Sequence, residues 1–204
     1  MKFKYIPITL ILIWSLSPLA WQVYTSFCTS EALINPFDLH LEKRWTIENY
    51  STLLSAKPSF WKYLINSTIV GLLSTFTTLA ISIPAAYAVS RMKSKTIRAY
   101  KLFLMSAALF PYVLLFLALL ELARNLNLGN NLIALTIPYT ALSLPLAILL
   151  LSSAFDDIPI DLEDAAKIEG LNTFQRIKLI LLPLISPAIG STSILIFLFS
   201  WNEY

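Results

Sequence analysis

Five long stretches of this chain carry no charged residue, and the charges gather in the short segments between them. The uncharged runs are residues 5–30, 63–90, 102–120, 125–155 and 179–202. A helix rising 1.5 Å per residue needs ~20 mostly apolar residues to cross ~30 Å of hydrocarbon. Each run reaches or nearly reaches that length. A core helix this long in a water-soluble protein carries a polar stripe. The pattern therefore predicts five membrane-spanning helices, over about 6–27, 64–89, 102–121, 131–155 and 182–202. The expected architecture is all-α, a polytopic membrane helical bundle in one transmembrane domain over residues 1–204.

The first run has the basic start of a secretory signal, Lys2 and Lys4. The apolar core of such a signal is only ~7–15 residues. Tyr5 to Phe27 is longer, no small-x-small cleavage site follows it, and Thr25-Ser26-Phe27 before Cys28 does not read as a lipoprotein site. The run is read as an anchor.

Lysine and arginine in short loops set the orientation of such a chain. Residues 91–101 hold Arg91, Lys93, Lys95, Arg98 and Lys101 and no acid, which marks them as cytoplasmic. Alternation then places residues 1–4 and 156–178 inside, and 28–62 and 121–130 outside. The inside segments carry 10 basic residues over 38 positions and the outside segments 5 over 45. In the outer loop, Trp45 to Tyr50 reads as a short helix capped by Thr46, with its aromatics at the interface.

Composition narrows the chemistry. Apolar residues make up 57% of the chain and charged residues 13%, about half the ~25% of a soluble domain. One cysteine excludes an intrachain disulfide. The one histidine, His40, lies in a polar loop and reads as solvated. No catalytic constellation, metal cluster or cofactor site is expected. Among four glycines, Gly71, Gly129, Gly170 and Gly190, none belongs to a phosphate-binding G-x-x-x-x-G-K-[ST] loop. The chain does not hydrolyse ATP itself and is not expected to be an enzyme. The net charge of +3 follows from the loop bias and calls for no nucleic-acid partner.

The polar segment 156–180 is the most distinctive part of the sequence. Pro159 suits a helix start, and Asp161, Glu163 and Asp164 suit the positive end of the helix dipole. Gly170 suits a C-terminal cap with positive φ. Asn172 or Thr173 then caps a second helical piece, which carries Phe174, Ile177 and Ile180 at helical spacing. The expected form is a helix-turn-helix elbow bent at Gly170. Ala165 and Ala166 keep one face slim, and Glu163 and Asp164 offer carboxylates to arginines of a partner.

Within that segment Asp164-Ala165-Ala166, three residues, Gly170, nine residues, Ile180, one residue and Leu182-Pro183 follow one another. This resembles the coupling loop, E-A-A followed by G and then I-x-L-P, of the permease subunits of binding-protein-dependent ABC importers. Every spacing agrees, and the one departure is Asp164 for glutamate. Asn66-Ser67 opening the second span, Pro84-Ala85-Ala86-Tyr87-Ala88 closing it, Leu142-Ser143-Leu144-Pro145, and Ser200-Trp201-Asn202-Glu203-Tyr204 are similar to the carbohydrate, maltose-type branch. The likeness covers nearly the whole chain.

The resemblance implies a prokaryotic plasma (inner) membrane protein with a cytoplasmic N-terminus. The implied partners are cytosolic ATP-binding subunits, a second permease subunit, an extracytoplasmic sugar-binding protein and the lipid bilayer. It implies ATPase coupling through Glu163, Asp164, Ala165, Ala166 and Gly170. It also implies six spans, of which five are present, so the chain reads as short at its C-terminal end. Trp201, Asn202 and Glu203 are candidate sugar contacts, since an indole stacks on a sugar ring while an amide and an acid hydrogen-bond its hydroxyls; a structural role stays equally open. Asn66 either caps its helix or meets substrate. Pro111, Pro138 and Pro145 are either hinges or packing kinks. The competing readings are a secondary transporter, disfavoured because the first four spans hold no mid-membrane charge, and a truncated, non-transporting membrane fragment.

Overall fold

The computed structural model describes residues 5–34, 44–92, 94–125, 128 and 131–202. Pro36, His40 and Glu203 lie outside the described residues. Apart from an isolated bridge between Cys28 and Trp45, the described residues form helices and their connections. The chain divides into two compact units, Met1–Lys62 and Tyr63–Tyr204.

In the first unit, α1 (Tyr5–Ser26) is apolar on all sides, as a helix surrounded by hydrocarbon must be. Two short helices follow, α2 (Ser30–Ile34) and α3 (Glu48–Ser55). Thr46 is not the cap of α3: Ile47 occupies that position without a side-chain cap bond, and Thr46 Oγ1, one residue earlier, accepts from the Glu48 N–H at 3.0 Å. Asn49 fixes this segment to the end of α1 by donating to the carbonyls of Ser26 and Cys28, at 2.9 and 3.0 Å. Trp45 packs edge-on against Tyr24.

The remaining helices are α4 (Phe60–Arg91), α5 (Lys95–Ala108), α6 (Tyr112–Asn125), α7 (Leu132–Asp156), α8 (Ile160–Ile168), α9 (Thr173–Arg176), α10 (Leu182–Leu184) and α11 (Ser186–Asn202), with a π-helical turn over Ile177–Leu181 between α9 and α10. Among the described residues three helices are long and apolar enough to cross a membrane, and up to five crossings result if two sharply bent pairs each count as one. The stretch expected as one span over 102–121 is one such pair. It is two helices, α5 and α6, meeting at 87°. Pro111 has no N–H to continue the ladder and disfavours a helical residue before it. The stretch 182–202 is bent as well: Thr173–Leu184 meets Ser186–Asn202 at 77°. There Pro187, second in α11, cannot donate back to the Pro183 carbonyl. Pro84 in α4, and Pro138 and Pro145 in α7, stay inside continuous helices.

The apolar core lies where α4, α5 and α7 converge on the segment after α9. Ala86, Val89, Leu104, Leu151, Phe155 and Leu181 are among its buried members. Small residues allow α4 close to its neighbours. Thr77 and Thr140 share a hydrogen bond of 2.7 Å between α4 and α7. A Cβ at Gly71 would stand 2.9 Å from the Phe197 ring of α11. Along α4, Ser74, Thr78 and Ser82 are fully buried, and their hydroxyls have no hydrogen-bond partner among the described residues.

Candidate functional site

The elbow forms where the sequence places it. α8 starts after Pro159, which sits at the cap position rather than inside the first turn. The helix closes as the Gly170 N–H bonds the Lys167 carbonyl and the Leu171 N–H bonds the Ala166 carbonyl, at 3.0 and 3.1 Å. Gly170 has φ +88°, a conformation that side-chain-bearing residues strongly disfavour. Asn172 then caps α9 through a reciprocal box, its side chain accepting from the Gln175 N–H while Gln175 Oε1 accepts from the Asn172 N–H, both at 2.9 Å. Two helix ends are thus satisfied within a few residues.

The two neighbouring acids of α8 point different ways. Asp164 is exposed and pairs with Lys167 one turn on, at 2.7 Å. Glu163, expected to offer its carboxylate to a partner, is only 4% exposed and spends it inside the chain. Its Oε2 accepts from the Tyr87 hydroxyl at 2.8 Å, and its Oε1 accepts from Arg91 Nε. A second Arg91 nitrogen reaches the Ile158 carbonyl at 3.4 Å. The reason for the correction is geometric. A helix turns ~100° per residue, so Glu163 shares its face with Ala166, which is also buried, while Asp164 and Ala165 face outward. The inner face of α8 therefore rests on the end of α4, where Tyr87 also stacks edge-on against Phe155 of α7.

A second ion pair joins the same regions: Lys101 of α5 lies 2.8 Å from Asp156 at the end of α7. The two pairs bring the basic segment 91–101 and the polar segment after α7 to one end of the second unit. Arg176 is buried as well. It donates to Thr173 Oγ1 at 2.9 Å, and its Nε has no partner among the described residues.

The outer surface of the elbow is partly apolar, which the sequence reading missed. Ile168 is 88% exposed and Phe174 71%, one on each side of Gly170. The available signal was an isoleucine and a phenylalanine flanking a helix-ending glycine in an otherwise polar loop.

At the other candidate site, Trp201 stacks on Phe197 with ring centres 6.3 Å apart, and its indole N–H is buried without a partner among the described residues. Asn202 is exposed at the last turn of α11. A cavity of about 230 Å³ lies between α5, α7 and α11, lined by Phe110, Ser143, Leu146, Thr192, Ile196 and Phe199 among others. Its walls are apolar apart from two hydroxyls, a lining suited to hydrocarbon rather than to a polyol. Among the described residues no group of histidines, cysteines or acids has the arrangement of a metal site.

Residues 43–204 match the family described as binding-protein-dependent transport system inner membrane component. The chain is 36% identical over 202 residues to the sulfoquinovosyl glycerol transport system permease protein SmoH of Agrobacterium fabrum, an alignment covering 98% of this chain and 70% of that protein. It is 37% identical over 191 residues to the trehalose/maltose transport system permease protein MalG of Thermococcus litoralis, covering 93% and 68%. Its fold is that of a chain in the crystal structure of a bacterial ABC transporter involved in the import of the acidic polysaccharide alginate, with a TM-score of 0.75 at 22% identity over 100% of this chain and 71% of that one.

Proposed function

The chain belongs to the family of binding-protein-dependent transport system inner membrane components, and from that premise we propose that it forms half of the pathway of an ATP-driven importer for a sugar or glycoside. It is a membrane-embedded transport protein rather than an enzyme. On this reading a second permease subunit supplies the other half of the pathway, an extracytoplasmic sugar-binding protein delivers the substrate, and cytosolic ATP-binding subunits drive the cycle. Family membership leaves little for the secondary-transporter reading to explain.

The observation that carries the coupling role is the seated elbow. Its inner face is fixed to α4 through Glu163, Arg91 and Tyr87. Its outer face presents Asp164, Ala165, Ile168 and Phe174. A cleft in an ATP-binding subunit could take the two apolar side chains, and one of its arginines could replace Lys167 as the partner of Asp164. Movement of that cleft then acts on α4 directly, because the buried ion pair leaves little slack between α8 and the helix. The orientation follows from the same geometry. Two ion pairs hold segments 91–101 and 156–178 at one end, which supports their sharing a membrane face, and the loop charge bias points to the cytoplasm with the N-terminus on that side.

The substrate class rests on the relatives named above, two of which carry carbohydrates or glycosides in their names. Trp201 and Asn202, with Glu203, are the proposed substrate contacts. The exposed Asn202 amide can hydrogen-bond a sugar hydroxyl while the half-buried Trp201 ring beside it offers a face to the sugar.

The test is uptake of labelled sugar by vesicles holding the assembled transporter. Asp164→Lys places a cation where a partner cation is expected and should lower ATP-dependent uptake about ten-fold or more, with membrane insertion unchanged. Asp164→Glu should retain it. Wild-type uptake by Asp164→Lys would sink the docking role. Trp201→Ala should raise KM for the sugar, and an unchanged KM would remove Trp201 from the pathway.

A further inference from the structure

A groove of about 610 Å³ runs along one face of α5 and is walled on the other side by Leu149 of α7. Its residues change character in order along the helix. Lys95 and Arg98 come first, Lys101 follows, and then Leu102 and Met105. These positions recur every three or four residues and so share one helix face. Lys101 is already held by Asp156. Lys95 and Arg98 are exposed and have no ion-pair partner among the described residues. Leu102 and Met105 are 65% and 56% exposed. Lys95 and Met105 are ten residues apart on one helix, ~15 Å at 1.5 Å per residue. Two uncompensated cations thus stand at the water end of an apolar floor that leads into the span.

We propose that this groove is a binding site for one anionic phospholipid, with the headgroup phosphate on Lys95 and Arg98 and the upper acyl chain against Leu102, Met105 and Leu149. Basic pockets between membrane helices at a water boundary bind anionic headgroups in this way. The order of residues identifies the ligand. A free phosphate satisfies the cations but leaves the leucines and the methionine uncovered. A zwitterionic headgroup brings its own cation against Arg98 and Lys95 and gains less. This lipid site lies on α5 and is independent of the transport role of the elbow.

The full chain, purified in its complex in detergent, is titrated with phosphatidylglycerol or phosphatidylcholine of matched acyl chains, and retained lipids are counted by native mass spectrometry. Wild type should hold one phosphatidylglycerol in preference to phosphatidylcholine. Lys95→Gln/Arg98→Gln should lower that retention about thirty-fold, two cations' share of headgroup attraction. Lys57→Gln/Lys62→Gln, which removes the same charge elsewhere, should leave it unchanged. Leu102→Ser/Met105→Ser keeps every charge and should also weaken retention. All four positions in the groove face outward, so a shared melting temperature with wild type checks the fold. Equal loss in both charge-removing doubles would show diffuse attraction, and no preference for phosphatidylglycerol would show no site. Displacement of the lipid by inorganic phosphate would show a free-anion site. Unchanged lipid retention in Lys95→Gln/Arg98→Gln, with loss of an ATP-binding subunit instead, would assign the face to a protein. Each of these four outcomes overturns the proposal.

Discussion

Replacing Arg91 with glutamine isolates the Glu163 carboxylate. The Glu163 and Arg91 side chains are 5% and 15% exposed, so neither partner is screened by solvent as a surface pair is. Without Arg91 the carboxylate keeps one donor, the Tyr87 hydroxyl at 2.8 Å. Removing one member of a buried ion pair costs about 3–5 kcal/mol, because the other charge stays buried and uncompensated. Glu163→Gln is milder. The cation left behind, Arg91, is the more exposed partner and still reaches the Ile158 carbonyl and the amide oxygen, so what is lost is mainly the charge-assisted part of those bonds, about 1 kcal/mol. Arg91→Gln/Glu163→Gln removes both charges and leaves two amides able to bond each other. The double variant should therefore be more stable than Arg91→Gln alone.

Hydrogen exchange read by mass spectrometry over α8 measures this where it acts. A loss of 3–5 kcal/mol corresponds to about two to four decades in local opening, enough to bring the α8 amides to loop-like exchange. Glu163→Gln should move them by about one decade or less, and the double variant should recover most of the protection lost in Arg91→Gln. If Arg91→Gln leaves α8 as protected as wild type, or if the double variant exchanges as fast as the single, the pair does not hold the elbow and the proposed route from elbow to α4 loses its physical basis.

Gly170→Val should lower ATP-dependent uptake strongly while Gly170→Asn retains much of it; a Cβ there meets nothing within 4 Å, so the penalty is the positive φ alone, ~1–2 kcal/mol and least for asparagine, and equal uptake in both variants would refute it. Gly71→Ala should lower thermal stability by about 1–3 kcal/mol, because its Cβ falls 2.9 Å from Phe197 Cε2, whereas Gly190→Ala, with open space around it, should be neutral or slightly stabilising; matched melting temperatures would show that Gly71 does not set the approach of α4 and α11. Cysteines at Ser94 and Asn172 should react with an impermeant reagent from the cytoplasmic side only, and one at Thr52 from the outside only; external labelling of Asn172 would reverse the orientation.

What could be read from the sequence is local. The turn at Gly170 and the cap at Asn172 depend on the conformations of a few adjacent residues, and both form as the residue types require. The apolar runs are equally local, since each is decided by its own solvent. The breaks at Pro111 and Pro187 were harder, because hydropathy is continuous across both and a proline inside a helix is tolerated at Pro84, Pro138 and Pro145. Which prolines break the chain depends on what neighbouring helices can satisfy. The spacing of Ser74, Thr78 and Ser82 by four was present in the sequence but is lost when hydropathy is averaged over a window. The burial of Glu163 was not legible at all. Its partner Arg91 is 72 residues away, and nothing in Glu163-Asp164 says which acid turns inward.

That division between two neighbouring acids determines what each can report. The Asp164–Lys167 pair is about half exposed on both sides, and such pairs contribute about 0–1 kcal/mol. Exchanging Lys167 for a partner's arginine therefore costs little, which makes Asp164 suited to a contact that forms and breaks in every cycle. The Glu163 pair is buried and cannot be exchanged without leaving a charge unpaired in the interior, which makes it suited to a joint that must hold while the elbow is pushed. Substitutions at Asp164 should then alter uptake without altering exchange in α8. Substitutions at Glu163 or Arg91 should alter exchange first and uptake as its consequence. A variant at Asp164 that loosened α8, or one at Arg91 that reduced uptake with α8 still protected, would show that the two faces of this helix do not divide the work in this way.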